Sequence, residues 1–188
     1  MKKDFIFVLG PQGSGKSTQA KLLAEKLGYR FISTGQIVRG LSESKDPRSI
    51  ELEKYWKTGA LVPDKLIENL LFNELDTVET SGFILDGYPR NLTQIKSFLR
   101  FLEIRGWSIS KAFYIFVSDE ECLKRIKIRV SLENRADEND DAISKRLAIY
   151  HNDTEPLLDE YRKMNILTEV DGERSIEEIQ KDIRTRFI

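Results

Sequence analysis

Gly10-Pro11-Gln12-Gly13-Ser14-Gly15-Lys16-Ser17-Thr18 is the stretch from which the rest of the chain is read. It fits the phosphate-loop (P-loop) pattern G-x-x-x-x-G-K-[ST], with Gly10, Gly15, Lys16 and Ser17 in the defining places. Before it stands Phe5-Ile6-Phe7-Val8-Leu9, a short apolar run that reads as a buried strand. After it Ala20, Leu22, Leu23, Ala24 and Leu27 recur at helical spacing, and Gly28 is a helix stop. Backbone N–H groups in such a loop converge on phosphate oxygens, and glycine permits the turn and the close approach. The helix that follows points its unpaired amides and positive dipole end at the anion. In this pattern Lys16 reaches the outer phosphates and Ser17 offers its hydroxyl to Mg²⁺.

At 188 residues the chain predicts a single domain with room for a small insertion. Hydrophobic residues make up 40% and charged residues 32%, which suits a soluble globular enzyme. The net charge of −1 supplies no general basic field for nucleic acid or an acidic membrane. Cys122 is the single cysteine, so no internal disulfide is possible and a reducing compartment fits. Met1-Lys2-Lys3 looks like the start of a signal peptide, but the apolar run behind it is too short. No segment is long and apolar enough to span a membrane, and a cytoplasmic location is expected.

Strand and helix patterns alternate along the chain. Further strands are expected at Arg30–Ser33, Gly82–Asp86, Ala112–Val117 and Ile166–Val170. Helices are expected at Lys16–Leu27, Gly35–Arg39, Pro47–Lys57, Asp64–Glu79, Leu92–Arg105, Asp119–Arg129, Asp140–Met164 and Ile176–Arg186. Pro156 falls inside the Asp140–Met164 pattern and should kink or split it. Two capping boxes are expected, Ser118 with Glu121 and Ser175 with Glu178. This alternation implies a parallel sheet with helices on both faces, and a ligand at the carboxyl ends of the strands. From Ser33 to Thr80 the pattern is helical throughout, longer than one crossover needs. It reads as a small helical subdomain standing off the sheet.

Other residues carry candidate chemistry. Asp86 ends the third strand, before Gly87-Tyr88-Pro89-Arg90. A carboxylate there can hold the water shell of Mg²⁺, though an Asp-Gly pair serves a turn as readily. Arg90 follows a proline turn that can aim it at phosphate, although a lone arginine is ordinarily a surface charge. Arg125, Arg129, Arg135 and Arg146 form a series, with Arg125 and Arg129 four apart on one helical face. Such repulsion is relieved by an anionic ligand, for which guanidinium forks are suited. A solvated face offset by Glu120 and Glu121 is the other reading. His151, the sole histidine, reads as a partly exposed helix residue. A phosphate monoester is largely a dianion at neutral pH and needs no base to attack. Cations and positioning alone therefore suffice for a nucleoside monophosphate kinase.

Taken together, these motifs resemble the adenylate kinase family of nucleoside monophosphate kinases. The likeness covers nearly the whole chain. It rests on Gly10–Gln19, Ser33-Thr34-Gly35 with Arg39, Gly59-Ala60-Leu61-Val62-Pro63, Asp86-Gly87-Tyr88-Pro89-Arg90 with Gln94, the arginine series, and Thr154-Glu155-Pro156-Leu157. The resemblance implies an α/β P-loop kinase fold: a five-stranded parallel sheet flanked by helices. It implies a core of residues 1–32, 80–128 and 136–188, a monophosphate-binding subdomain at 33–62 and a short lid at 129–135. The lid has no room for a structural zinc and no cysteines to hold one.

By the same resemblance Gly13, Ser14, Gly15, Lys16, Ser17, Thr18, Arg125 and Arg129 bind ATP, with Arg125 packed on its adenine. Thr34, Arg39, Val62, Gly87, Arg90, Gln94, Arg135 and Arg146 bind AMP. Lys16, Arg90, Arg129, Arg135 and Arg146 are the catalytic cations. Mg²⁺ is held by Ser17 and Asp86 through water. The implied reaction is ATP + AMP = 2 ADP in a monomer, with nucleotides as the only partners. Gln94, an amide with donor and acceptor, pairs twice with adenine. UMP/CMP relatives commonly carry asparagine in its place and alanine in place of Thr34. A UMP/CMP kinase on this scaffold and a non-catalytic nucleotide-sensing module are the alternatives. Gln12, Ser17, Gln36 and Glu138 stand where the family more often has proline, glycine, aspartate and aspartate.

Overall fold

The computed structural model describes residues 2–42, 44, 47, 49–133 and 139–187. Among the described residues the five strands are β1 (Asp4–Leu9), β2 (Arg30–Ser33), β3 (Gly82–Asp86), β4 (Ser108–Phe116) and β5 (Leu167–Asp171). They form one parallel sheet in the order β2-β3-β1-β4-β5. The helices are α1 (Lys16–Leu27), α2 (Thr34–Ser42), α3 (Ser49–Thr58), α4 (Asp64–Thr77), α5 (Leu92–Arg105), α6 (Asp119–Glu133), α7 (Asp140–Ile149), α8 (Leu157–Lys163) and α9 (Ile176–Phe187).

β1 is apolar at every position after Asp4 because both of its faces are covered. Phe5, Phe7 and Leu9 enter one core with Phe83, Leu85, Phe98, Leu157 and Tyr161. Ile6 and Val8 enter the other, with Ala20, Leu23, Ile84, Phe113, Ile115, Ile179 and Ile183. Strand periodicity thus sends alternate residues to helices on opposite sides.

The sheet register sets the site. Val8 pairs with Asp86, and Asp86 pairs on its other side with Ser33. The carboxyl ends of β1, β3 and β2 therefore stop side by side. Three chain exits open there: the glycine loop after Leu9, the Gly87 turn and α2.

Several expected boundaries move. β4 begins at Ser108 rather than Ala112, because Ser108, Ile109 and Lys111 pair with β1, with an irregularity at Ser110, although the stretch is mostly polar. Ser110 Oγ donates to Asp4 Oδ2 at 2.7 Å across that pairing. The Asp140–Met164 helix is split, as expected around Pro156. α7 passes into a π-helical turn, Tyr150–Thr154, closed by Glu155 N donating to the Tyr150 carbonyl at 2.8 Å. α4 ends two residues short of Glu79, with Val78 already extended.

Of the two capping boxes, the second forms. Ser175 N donates to Glu178 Oε2 at 3.0 Å, and Glu178 N donates to Ser175 Oγ at 3.3 Å. The first does not. Ser118 N and Oγ both donate to Glu173 Oε1, at 2.9 and 2.5 Å. Glu121 turns instead to Arg125 and Lys124. The carboxylate of Glu173, two residues past the end of β5, takes the place of the local one, while Glu121 is held by its two neighbouring cations.

Candidate active site

The glycine loop is closed by contacts that leave no room for a side chain at Gly10 or Gly13. Gly10, Gly13 and Gly15 have φ of 149°, 89° and 84°. A Cβ at Gly10 would lie 2.7 Å from the Ile115 carbonyl oxygen, and one at Gly13 would lie 2.6 Å from that of Cys122. The loop is thus wedged between the end of β4 and the first turns of α6. Cys122 is fully buried, and burial pushes its thiol up to about 11, so it is a packing residue.

Lys16 opens α1, and its ammonium donates to the Pro11 carbonyl at 3.0 Å. Burial lowers its pKa; Asp86 opposes the drop, and Arg90 and Arg129 add to it. Ser17 Oγ donates to Asp86 Oδ2 at 2.6 Å. Asp86 is only 3% exposed, and its other oxygen, Oδ1, is buried with no hydrogen-bond partner. An unpaired carboxylate oxygen beside a serine hydroxyl is an oxygen-donor set that fits a hydrated Mg²⁺.

Across the sheet end, Thr34 Oγ1 donates to the Gly87 carbonyl at 2.8 Å, and Arg90 Nε donates to the same oxygen at 2.8 Å. A Cβ at Gly87 would come within 3.1 Å of the Arg90 guanidinium. The Tyr88–Pro89 peptide is cis. Thr154 Oγ1, in the π-helical turn, donates to the Arg90 carbonyl at 2.8 Å. Burial lowers the pKa of Arg90; Asp86 opposes this, and Arg146 and Arg39 lower it further.

These groups face one cleft. Its lining includes Gly10, Lys16, Ser17, Thr34, Arg39, Val62, Asp86, Gly87, Arg90, Gln94, Arg129 and Arg146. Five lining cations thus meet a single lining carboxylate, Asp86, among the described residues. A lining so rich in guanidinium and ammonium groups suits a polyanion.

Other expected residues stand differently. Gly13, Ser14, Gly15 and Thr18 belong to the loop and the start of α1 but do not line the cleft. Ser14 is fully buried, with its hydroxyl unpartnered. Arg125 is also off the cleft. It is drawn to Glu121 Oε1 at 2.8 Å and the Gly172 carbonyl at 2.9 Å, while Arg129, one turn on, lines the cleft. Arg135 and Glu138 lie outside the described residues. Gln94 is buried, and both ends of its amide are engaged: Oε1 accepts Arg90 N at 2.7 Å, and Nε2 donates to Asp64 Oδ1 at 2.7 Å.

The sequence assigns no role to Ser33, Tyr150 or Thr154, which line the cleft, or to Asp64 behind it. Thr154 opens the Thr154-Glu155-Pro156-Leu157 motif, which is its one signal. Asp64 reads as a helix start and nothing more.

A glycine loop at the head of a parallel sheet, facing a cation-lined cleft, defines a P-loop protein built to hold nucleotide phosphates. The comparison with known proteins is narrower. The profile of the adenylate kinase family matches residues 8–166, and the chain belongs to that family. It is 41% identical to an adenylate kinase of Mycobacterium tuberculosis, over 93% of either chain. It is 37% identical to one of Micrococcus luteus, over 93% of this chain and 85% of the other. It is 34% identical to one of Fusobacterium nucleatum, over 95% of either chain.

Proposed function

We propose that this chain is an adenylate kinase, moving the terminal phosphoryl group of ATP reversibly to AMP to give two ADP. The observation that carries the reading is the cleft that Lys16, Arg39, Arg90, Arg129 and Arg146 line together with Asp86. The family membership supports it, and nothing favours a pyrimidine monophosphate kinase or a silent nucleotide sensor.

On this reading the donor side comprises Gly13, Ser14, Gly15, Lys16, Ser17 and Thr18, with Arg125 and Arg129. The acceptor side comprises Thr34, Arg39, Val62, Gly87, Arg90 and Gln94, with Arg135 and Arg146. Residues 33–62 form the monophosphate-binding subdomain and 129–135 the lid, both closing on a core of 1–32, 80–128 and 136–188. The protein is a cytoplasmic monomer. No helix among the described residues is long and apolar enough to cross a membrane.

The catalytic work is electrostatic. The AMP phosphate attacks as an anion, and no base is required of the chain. His151, the one imidazole, does not line the cleft. Lys16, Arg90, Arg129, Arg135 and Arg146 take up the charge that spreads over the transferring group. Burial is the main cause of the lowered pKa of Lys16 and Arg90; Asp86 opposes it, and neighbouring arginines add to it. Bound Mg²⁺ neutralises phosphate charge, and Ser17 and Asp86 are the residues that would hold it. Closure around the nucleotides excludes water as a competing acceptor.

The test is ADP formation from ATP with AMP, CMP and UMP in turn. AMP should exceed both pyrimidines in kcat/KM by about a hundredfold or more, because mismatched bases leave buried polar groups unpaired. Equal turnover of CMP or UMP would transfer the protein to the pyrimidine class. Tight binding of two nucleotides without turnover would make it a sensor.

A further inference from the structure

We propose that Asp64 sets which purine the cleft accepts, acting as a positioning residue through Gln94. The inference rests on the reading above that Gln94 meets the accepting base. Asp64 is the first residue of α4, directly after Pro63, and it does not line the cleft. Its carboxylate accepts Gln94 Nε2 at 2.7 Å and Asn91 Nδ2 at 3.1 Å. On the other side, Gln94 Oε1 accepts the backbone N–H of Arg90 at 2.7 Å.

The two ends of a side-chain amide match in shape and differ in chemistry. A backbone N–H only donates, and a carboxylate only accepts. The carbonyl end of Gln94 must therefore face Arg90, and its NH₂ end must face Asp64. Reversal would set donor against donor and acceptor against acceptor. Gln94 is 2% exposed, so water cannot repair that mismatch.

Each end of the amide has used one of its two bonds, leaving Oε1 a lone pair and Nε2 a hydrogen. Gln94 thus offers the cleft an acceptor and a donor in fixed order. Adenine carries an amino donor beside a ring-nitrogen acceptor. Hypoxanthine carries a carbonyl acceptor beside an N–H donor in the same two places. The amide as held complements adenine and opposes hypoxanthine. α4 adds a second tie, to the backbone of Gln94, one turn on: the Tyr88 hydroxyl lies 3.3 Å from Glu68 Oε1 and 3.2 Å from the main-chain carbonyl oxygen of Gln94.

Asp64→Asn keeps the shape but supplies an NH₂ that can face a reversed Gln94. The readout is the ratio of kcat/KM for AMP to that for inosine monophosphate, with ATP fixed. We expect this ratio to fall about tenfold or more, with KM rising for AMP and falling for inosine monophosphate. Arg90 N–H still favours the wild-type order in both variants; Asp64→Ala supplies no donor to favour reversal, so its ratio should fall less than that of Asp64→Asn. A merely structural role lowers both substrates together. A wild-type ratio in both variants overturns the proposal. If a variant does not turn over, the ratio of calorimetric affinities for the two monophosphates is read instead: a fall supports the proposal, and a wild-type ratio overturns it. If the wild-type chain forms no ADP from ATP and AMP, the kinase reading fails, and the calorimetric ratio still decides the role of Asp64.

Discussion

The Ser17 hydroxyl donates to Asp86 Oδ2 at 2.6 Å, joining the first turn of α1 to the end of β3 across 69 residues of sequence. The other oxygen of Asp86 stays buried and unpaired. Asp86→Asn keeps the shape and removes the charge. It should raise the Mg²⁺ concentration for half-maximal rate by about tenfold or more. Chelation should abolish turnover of the wild-type protein, and added Mg²⁺ should restore it. A Mg²⁺ titration checks both, and an unchanged midpoint in the variant would remove Asp86 from the metal's surroundings.

Arg146 and Arg125 should separate in kinetics as they do in space. Arg146 lines the cleft, and its charge weighs on Arg90. Arg146→Ala should lower kcat by about a hundredfold. Arg125 sits off the cleft against Glu121 and Gly172; on the proposal that its guanidinium packs on the adenine of ATP, Arg125→Ala should chiefly raise KM for ATP. Steady-state kinetics with both nucleotides varied would reveal the opposite pattern if the roles are exchanged.

Gly13 and Gly15 have nearly the same φ but unlike surroundings. An alanine at Gly13 meets the Cys122 carbonyl oxygen at 2.6 Å, whereas one at Gly15 has nothing within 4 Å. Gly15→Ala should cost about 1–2 kcal/mol, the penalty for a left-handed alanine. Gly13→Ala adds a backbone clash and should cost more, lowering Tm by roughly 5–10 °C. Thermal melts of the two variants decide it. A smaller loss at Gly13 would mean that α6 yields easily.

His151 bridges two elements. Nδ1 lies 2.8 Å from Glu155 Oε2, and Nε2 lies 3.1 Å from Asp119 on α6. The hydrogen bond to Glu155 leads in raising its pKa above 6.5. A raised folded pKa means the imidazolium stabilises the fold fully below the unfolded value. That contribution fades as pH rises through the folded value. With its side chain 44% exposed, the effect should stay below about 1 kcal/mol. The wild type should melt above His151→Gln near pH 6, and the two should converge near about pH 9. A gap that persists at high pH would point to packing rather than charge.

The order and type of the elements can be read from the sequence, because their causes are local. Leu92–Arg105 takes both its bounds from neighbouring residues: Asn91 Oδ1 accepts Gln94 N at 2.8 Å, and Gly106 ends the helix at φ 65°. The glycine loop is legible because its pattern requires close backbone approach, and the cleft cations follow from spacing and family likeness. Local signals fail where a distant partner competes. Glu173, 55 residues on, takes Ser118 from Glu121. Pairing with β1 makes a strand of the mostly polar Ser108–Lys111. The strand order alone puts Asp86 beside Val8 and Ser33. Asp64 gains its hold on Gln94, 30 residues away, only when α4 packs behind the Arg90 turn. Propensity, capping and periodicity act within a turn or two of the chain. Which carboxylate meets which amide depends on how whole elements pack, and that is settled by burial across the fold.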